Sequence, residues 1–285
     1  DLYQVDFLSP GQQVAPGTSV ERRSRLFAGA KETTLLDRYS EELGIVNFDL
    51  AVDFGWFYFL TKPIFLAIHW LHGVFGNFGV AILLLTLGIK LAFFPLANKS
   101  YKSMSKMKLL QPKMQELKER YGDDRQKMNQ ELMELYKKEK VNPLSGCLPI
   151  IVQIPVFFSL YKVLFVTIEM RHAPGLFWID DLSAPDPLGV LTAFGMIDWQ
   201  VPAILAVVNI GLWPLIMGLS MFLQQKLNPA PADPTQKMIF AWMPWVFMFM
   251  LGGFASGLVV YWITNNTITF IQQYTIMRSH GFKPD

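Results

Sequence analysis

The most informative part of the sequence is residues 79–95, which read GVAILLLTLGIKLAFFP. The run is uncharged from Gly79 to Ile89, and no charged residue precedes Lys90 back to position 63. Pro95 ends the run, because proline cannot continue a helix. About 20 residues of this kind cross a bilayer as a helix. The stretch therefore predicts a membrane-spanning helix within residues 74–98.

Three further uncharged runs extend this pattern along the chain, at residues 141–161, 199–225 and 238–277. Gly252, Gly253 and Gly257 supply turn chemistry inside the longest run, which predicts two helices joined by a turn. Of all 285 residues, 52% are hydrophobic and 17% charged, which excludes an ordinary soluble enzyme. The predicted fold class is an all-α polytopic membrane protein with a core of five transmembrane helices.

Charge between the runs predicts the orientation. Residues 99–140 carry twelve Lys or Arg against seven acids, whereas residues 169–200 carry one Arg against five acids. Because cytoplasmic loops are rich in Lys and Arg, the first segment is predicted to be cytoplasmic and the second external. The predicted segments are an external part at 1–53, an interfacial amphipathic helix at 54–73, transmembrane helices at 74–98, 141–168, 201–225 and, as a pair, 238–277, a cytoplasmic helical hairpin at 99–140, an external loop at 169–200, a cytoplasmic loop at 226–237 and a cytoplasmic tail at 278–285. For residues 54–73 a sixth span is the alternative.

The first 53 residues have a different pattern from the rest. Tyr3, Val5 and Phe7 alternate with polar residues, and residues 20–27 could form a partner strand. Two strands alone are marginally stable. We therefore predict an N-terminal external β segment, either the last part of a larger periplasmic β domain or a self-contained cap.

Apolar side chains recur every three or four residues within 99–140, which predicts two amphipathic helices with a turn at 121–124. One explanation of this stripe is that it packs the two helices together. The other is that an adaptable methionine surface captures clients or the ribosome. An excess of five positive charges favours contact with ribosomal RNA or with anionic lipid. The candidate capture residues are Met104, Met107, Met114 and Met128.

Lys90 is the strongest candidate for a functional residue. A lysine near the centre of a spanning helix costs roughly 2.5–3.5 kcal/mol, and no acid lies in the same run to pair with it. Thr86 stands one turn earlier on the same helical face. Lys90 either lies in a wet polar pocket or snorkels to the cytoplasmic headgroups. Polar residues in the other spans favour a pocket open to the cytoplasm: Gln153, Thr264, Asn265, Asn266, Thr267, Gln272 and Gln273, whereas Asn209 is better explained by an interhelical hydrogen bond.

Catalytic chemistry has little support in the sequence. There is no HExxH motif, no Gly-rich phosphate loop and no pair of cysteines. Ser220 and Ser256 lack a nearby base, so an intramembrane serine hydrolase is disfavoured. Cys147 is the single cysteine, which excludes an internal disulfide and suggests a packing role. We expect no enzymatic activity, no metal and no cofactor.

Several motifs, in this order along the chain, resemble the YidC/Oxa-type membrane protein insertase family. They are the lone basic residue at position 90, the Met-rich charged hairpin, NPLSGCLP at 142–149, QIP at 153–155, and SGL at 256–258 followed by Tyr261 and Trp262. The resemblance covers about residues 54–277. It implies a five-helix core in the bacterial inner membrane that encloses a hydrophilic groove, open to the cytoplasm and sideways to lipid. Residues 1–53 look like the end of the larger external domain of Gram-negative members.

The resemblance also implies roles for individual residues. The groove residues would be Lys90, Thr86, Gln153, Tyr261 and Trp262. The family usually has arginine at the Lys90 position. Lysine keeps the positive charge but lacks the planar guanidinium group that can donate two hydrogen bonds to one carboxylate. The implied partners are nascent membrane proteins, the Sec translocon, the ribosome and membrane lipids, with no nucleotide and no DNA.

The expected function is that of a membrane protein insertase and chaperone. Lys90 would attract the acidic tail of a client into the groove, and burial of the client's apolar segment in lipid would drive insertion. The alternative is a channel or secondary transporter that uses the polar pocket for a small anion. Inverted repeats would favour that alternative, and the sequence shows none.

Overall fold

The structure is a computed structural model that describes the chain except for residues 1–3, 5, 7, 122–123, 143–147, 229–233 and 280–285. Several predictions lie outside the described residues. These are the alternation of Tyr3, Val5 and Phe7, the two central residues of the hairpin turn, and the packing role of Cys147. The chain divides into two compact units, residues 1–30 and residues 31–285.

The first unit contains no strand among its described residues. Residues 20–27, predicted to form a strand, are largely exposed and are not part of a strand. Local order comes instead from Arg22, whose guanidinium donates to the Pro10 carbonyl at 3.1 Å and to Gln12 Oε1 at 3.3 Å. A strand requires a ladder partner for its backbone groups, and the described chain offers none here. The predicted β segment is therefore not confirmed.

The second unit is mostly helical. Ten α-helices occur in its described residues: α1 (Thr33–Leu43), α2 (Tyr58–Phe75), α3 (Phe78–Ala92), α4 (Phe94–Leu109), α5 (Gln111–Tyr121), α6 (Arg125–Lys138), α7 (Leu148–Val166), α8 (Leu212–Leu227), α9 (Pro234–Leu251) and α10 (Ser256–Ser279). The longest uncharged run folds as α9 and α10, which are separated by a short turn at 252–255 where the sequence predicts one.

Helix α10 is the centre of the bundle and packs against α3, α4, α7 and α8. Its first turns are fully enclosed, with Tyr261 and Leu258 each 2% exposed. Gly257 allows this close approach, because a Cβ at that position would lie 2.9 Å from Leu164 Cδ2 and 3.2 Å from the Leu182 carbonyl oxygen. Helix α9 packs against α8, and α2 packs against α3 and α7.

Helices α3 and α4 form one bent element with an angle of 68° between them. Phe93 separates the two helices, and Pro95 lies in the first turn of α4, where proline is tolerated. By length and hydropathy, this bent pair could cross a bilayer, whereas no single helix of the described residues passes the same test.

Residues 31–57 contain helix α1, which the sequence analysis missed. They are here called the external clip, after the external location that the sequence predicts for residues 1–53. Gly44 ends α1 in the left-handed conformation, with φ of 64°, and Glu169 accepts a hydrogen bond from the Thr33 amide at 2.8 Å. Leu36 and Phe54 are buried, at 0% and 2% exposed. The clip is thus packed into the second unit by apolar side chains as well as by polar contacts.

Ion pairs fasten the external clip to α2. Lys62 Nζ lies 2.9 Å from Asp37 Oδ1 and 2.8 Å from Asp49 Oδ2. Burial alone would lower the pKa of Lys62, but hydrogen bonds to the two carboxylates outweigh burial and raise it. The pKa of Asp49 is lowered because Lys62 and then the Tyr58 hydroxyl donate to its carboxylate.

Helix α8 begins later than predicted. The sequence places a helix at 201–225, but regular α-helix starts at Leu212, and residues 203–208 form a separate 3-10 turn. Asn209 is not an interhelical residue. Its Oδ1 accepts from the Leu191 amide at 3.0 Å, within the segment that precedes α8. The side chain of Asn209 therefore stabilises a loop and does not connect two helices.

The hairpin predicted for residues 99–140 consists of three helical pieces rather than two: the end of α4, then α5 and α6, which pack against each other. Their apolar stripe faces inward and forms a small core of Met107, Leu110, Met114, Leu132 and Val141, flanked by Leu117, Met128, Leu135 and Tyr136. An ion pair between Lys113 and Glu139, at 2.8 Å, closes the side of this core. The packing explanation of the stripe fits this arrangement.

Candidate functional site

Helix α3 positions Lys90, the sequence-predicted key residue. Asn77 caps the helix by accepting from the Val80 amide at 3.0 Å, and its Nδ2 donates to the Gly175 carbonyl at 2.8 Å. The first turns of α3 are thus fixed to the segment after α7, while Lys90 lies in the last turn. Its ammonium group donates to the Thr269 hydroxyl on α10 at 2.8 Å. No carboxylate in the described part of the chain pairs with Lys90.

Thr269 links several elements around Lys90. Its own hydroxyl donates to the Asn265 carbonyl at 2.6 Å, and Tyr101 on α4 borders the same cavity as Lys90. Thr269 is only 5% exposed. Lys90 is therefore held by a neutral hydroxyl inside the bundle, and an anion would be a stronger partner.

Lys90 and Gln153 face the same small cavity, as the sequence predicts for groove residues. The cavity has a volume of about 30 Å³ and is lined by the end of α3, α4, α7 and α10. Its lining residues are Ile89, Lys90, Phe93, Leu96, Ala97, Tyr101, Pro149, Val152, Gln153 and Gln272. A volume of this size holds one or two water molecules.

Two buried amide groups at this cavity lack a protein partner. Gln153 Nε2 and Gln272 Oε1 make no hydrogen bond to any described residue. A buried polar group without a partner costs about 1–3 kcal/mol. Water or a polar ligand that reached these two atoms would remove that cost.

The unpartnered groups continue along α10 away from the cavity. Asn265 Oδ1, the Tyr261 hydroxyl and Trp262 Nε1 also have no hydrogen-bond partner among the described residues. Trp262 is fixed by its ring, which stands at 89° to Phe157 with a centroid distance of 5.0 Å. Tyr261 and Trp262 thus extend the polar row in which Thr269 lies.

Thr86 takes a different place from the one predicted. Its side chain is 1% exposed, and its hydroxyl donates to the Ile82 carbonyl at 2.7 Å within the same helix. Thr86 does not line the cavity around Lys90. The structure brings Lys90 and Gln153 together and leaves Thr86 as a satisfied interior residue.

A second polar row of α10, which the sequence analysis did not separate from the first, faces α8. Asn266 Nδ2 donates to Ser220 Oγ at 3.1 Å, and Gln273 Nε2 donates to Asn228 Oδ1 at 3.1 Å. These two bonds satisfy interhelical donors in the manner expected between membrane helices. Of the polar residues of α10, Asn266 and Gln273 therefore contact α8, whereas Gln272 lines the cavity beside Lys90.

The methionines predicted to capture clients are largely buried. Met104 packs with Tyr101 and Ile276, at the contact between α4 and α10, and Met107 and Met114 are each 9% exposed within the hairpin core. Met128 packs against the same core. Met107, Met114 and Met128 become available to a client only if the hairpin core opens, and Met104 only if α4 separates from α10.

Lys162 is a second lysine inside a predicted span, and the sequence analysis did not single it out. Its Nζ lies 2.8 Å from Asp53 Oδ2 in the external clip. The hydrogen bond from Lys162 is the main reason why the pKa of Asp53 is lowered, and the Gly55 amide adds to the effect. Lys162 is therefore a fastening residue for the clip, in contrast to Lys90.

The described residues contain no cluster of three His, Cys, Asp or Glu side chains that could hold a metal ion. What the site offers is one ammonium group, several amide groups and space for water within an apolar helix bundle. Such an arrangement can attract and hydrate an anionic or polar segment.

Comparison with protein families assigns the chain to a class of integral membrane proteins. The family model described as 60Kd inner membrane protein matches residues 70–283, and the model described as YidC periplasmic domain matches residues 1–67. The chain belongs to the 60Kd inner membrane protein family, the YidC family that the sequence motifs resemble.

Several similar curated proteins are named membrane protein insertase YidC. Those of Dinoroseobacter shibae and Ruegeria pomeroyi are 62% identical over 288 and 287 residues, covering all of this chain and 48% and 47% of theirs. That of Beijerinckia indica is 59% identical, covering 99% of this chain and 47% of its own. The chain spans about half the length of the curated relatives it matches.

A solved structure shares the fold. It is a crystal structure of an active YidC insertase with its first transmembrane domain resolved, and it matches with a TM-score of 0.59 and 25% sequence identity. The match covers 85% of this chain and 53% of that one.

Proposed function

We propose that this chain inserts hydrophobic segments of newly made proteins into the bacterial inner membrane, without nucleotide hydrolysis. The observation that carries the proposal is that the ammonium group of Lys90 bonds to a neutral hydroxyl and shares a cavity with the unpartnered amide atoms of Gln153 and Gln272. The names of the similar proteins support the same function and do not favour a channel or transporter for a small anion.

The proposed topology has five spans: α3 with the start of α4, then α7, α8, α9 and α10. The excess of basic residues in 99–140 places α5, α6 and the C-terminus in the cytoplasm. Residues 1–53 are then external, and the match of residues 1–67 to a periplasmic domain model supports that placement. Helix α2 lies at the outer interface, with Phe59 and Trp70 exposed to lipid at 73% and 67%.

In the proposed mechanism, Lys90 attracts the acidic tail of a client from the cytoplasm. An attraction between unit charges 4 Å apart is about 4 kcal/mol at an effective dielectric constant near 20. The tail replaces Thr269 as the partner of the ammonium group, while Gln153 and Gln272 form hydrogen bonds with the backbone of the tail. Because the tail starts part of the way through the bilayer, the remaining hydrocarbon barrier is shorter.

Burial of the client's apolar segment in lipid supplies the driving force. The segment leaves the groove sideways and is received by exposed apolar faces of the bundle. Helix α9 presents such a face, with Trp242 and Ile239 exposed at 64% and 58%. No covalent step is required.

The cytoplasmic hairpin of α5 and α6 is proposed to receive clients or the ribosome first. Its charged outer surface makes the initial contact, and the stripe of Met107, Met114 and Met128 becomes available when the two helices separate. Because the hairpin core is small, separating the two helices costs little free energy. Cooperation with the Sec translocon is part of the same proposal.

Purified protein in liposomes tests the function directly. Insertion of a short client with an acidic N-terminal tail is compared with insertion of the same client with a neutral tail, using protection from external protease as the readout. Lys90→Arg should sustain insertion of both clients, whereas Lys90→Glu should slow the acidic-tailed client at least tenfold more than the neutral one.

Lys162→Glu is a matched control for a lysine that faces the external clip. Its effect should be the same for both clients. Equal rates for the acidic-tailed client with Lys90→Glu and with the unaltered protein would refute the role of Lys90, and no insertion by the unaltered protein would refute the function.

A further inference from the structure

The segment between α7 and α8 contains a closed loop, residues 188–212, here called the apolar loop. Its two ends are joined by an antiparallel bridge between Gly189 and Gly211. The Val190 amide donates to the Ile210 carbonyl at 3.0 Å, and the Leu212 amide donates to the Leu188 carbonyl at 3.0 Å. The two ends of the loop therefore lie side by side, next to the first residue of α8.

Asp186 fixes the base of the apolar loop. Its carboxylate accepts from the Trp213 amide at 2.7 Å, from the Leu188 amide at 3.0 Å and from Trp178 Nε1 at 2.9 Å. Gly211 fits only because it lacks a side chain, since a Cβ there would lie 2.5 Å from Asp186 Cβ. The base is rigid, so the position of the loop is set by α8.

The body of the apolar loop is unusually hydrophobic for an exposed segment. Met196 and Ile204 are 81% and 87% exposed, and Trp199 is 44% exposed. Asp198 is the single charged residue of residues 188–212. The 3-10 turn Ala203–Val208 reads AILAVV, so it has no polar face to turn toward water. An exposed apolar surface of this kind marks an interaction site.

We propose that the apolar loop is inserted into the outer leaflet of the bilayer and anchors the external end of α8. The proposal rests on the membrane placement of α8 given above. Because the base of the loop is joined to the first residue of α8, the loop lies where that helix reaches the outer surface. The nearest apolar medium is the bilayer that already surrounds the lipid-facing residues of α8, such as Leu219, which is 55% exposed.

The charge and composition of the loop favour lipid over a protein partner. A single acid and no basic residue give no electrostatic complement for a charged partner surface. Trp199 is the residue type enriched at membrane interfaces. The exposed aliphatic side chains on either side of it, Met196 and Ile204, are of the type that is buried just below the headgroups when segments bind at a membrane surface.

Fluorescent labels at single cysteines test the insertion of the loop. Met196→Cys and Ile204→Cys, each in a Cys147→Ser background, are labelled with an environment-sensitive dye in phosphatidylcholine vesicles that contain lipids spin-labelled near the headgroup. Asp180→Cys, an exposed position of the same external segment, is the matched control. We expect blue-shifted emission and at least threefold stronger quenching at 196 and 204 than at 180.

A label at Trp242→Cys on α9 separates this inference from the proposed function. Quenching at 242 with water-like emission at 196 and 204 would overturn the loop anchor and leave the membrane placement of the helices standing. Blue-shifted emission without lipid quenching at 196 and 204 would also overturn the anchor, because it would indicate a protein partner or a second copy of the chain. Absence of quenching at 242 as well would overturn both.

Discussion

Replacement of Lys62 by methionine should release the external clip from α2. The substitution keeps the length of the side chain but removes the ammonium group that lies within 2.9 Å of Asp37 and 2.8 Å of Asp49. The three side chains are between 15% and 30% exposed, so the loss lies between that of a surface pair and that of a buried pair. We expect the clip to lose about 2–3 kcal/mol of local stability.

Hydrogen exchange in lipid nanodiscs measures this local stability. A loss of about 2–3 kcal/mol speeds exchange roughly 30- to 150-fold where exchange follows local opening. The affected amides should be those of α1 and of Val52, whose amide donates to the Asp49 carbonyl at 3.1 Å. Lys31→Met is the control, because Lys31 is exposed and its ammonium group donates to the Ala51 carbonyl without pairing with a carboxylate among the described residues. Similar exchange rates in both variants would refute the reasoning.

The same ion pairs fix the pH dependence of the clip. The pKa of Asp49 is lowered in the folded clip, so its contribution is present above its ordinary pKa near 4 and is lost as the pH falls through the folded value. The pKa of Lys62 is raised, so its contribution is lost only at strongly alkaline pH. Exchange of the clip, corrected for intrinsic rates, should therefore stay constant between about pH 5 and pH 9.

Two further substitutions test the packing of α10 through the thermal unfolding midpoint in detergent. Thr269→Val removes the hydroxyl that accepts from Lys90, and should cost about 1–3 kcal/mol, whereas Thr275→Val on an exposed turn of α10 should change stability by under about 0.5 kcal/mol. Gly257→Ala should lower the free energy of unfolding by about 1–3 kcal/mol through overpacking against α7. Gly253→Ala, with open space around it, should leave the free energy of unfolding unchanged. Equal midpoints within either pair of variants would contradict the contacts described.

Local signals in the sequence locate many of the helices. The uncharged run around residues 79–95 and the Gly-rich turn at 252–257 correspond to α3 and to the α9–α10 connection, because hydrophobic length and glycine punctuation are local properties. Lys90 is also identifiable from local pattern, since a lone charge in an apolar run is costly wherever the helix packs. Helix α1 shows that a local signal can be overlooked when a neighbouring pattern suggests strands.

Long-range contacts are what the sequence does not supply. The partner of Lys90 lies 179 residues away and that of Lys162 lies 109 residues away, so spacing within one helix reveals neither. Whether the methionine stripe is buried or exposed likewise depends on which helix packs against it. Thr86 has the right spacing for the groove, yet its hydroxyl bonds to its own helix, an option open to any helical threonine.

The central claim is that Lys90 borders a hydrated groove reached from the cytoplasm, and reaction of a cysteine at that position with a small charged thiol reagent tests it most directly. Lys90→Cys in a Cys147→Ser background should react in inverted membrane vesicles within about tenfold of the rate of Lys99→Cys, whereas Ile82→Cys, at a position that is 0% exposed, should not react. Protection at position 90 equal to that at position 82 would contradict the account.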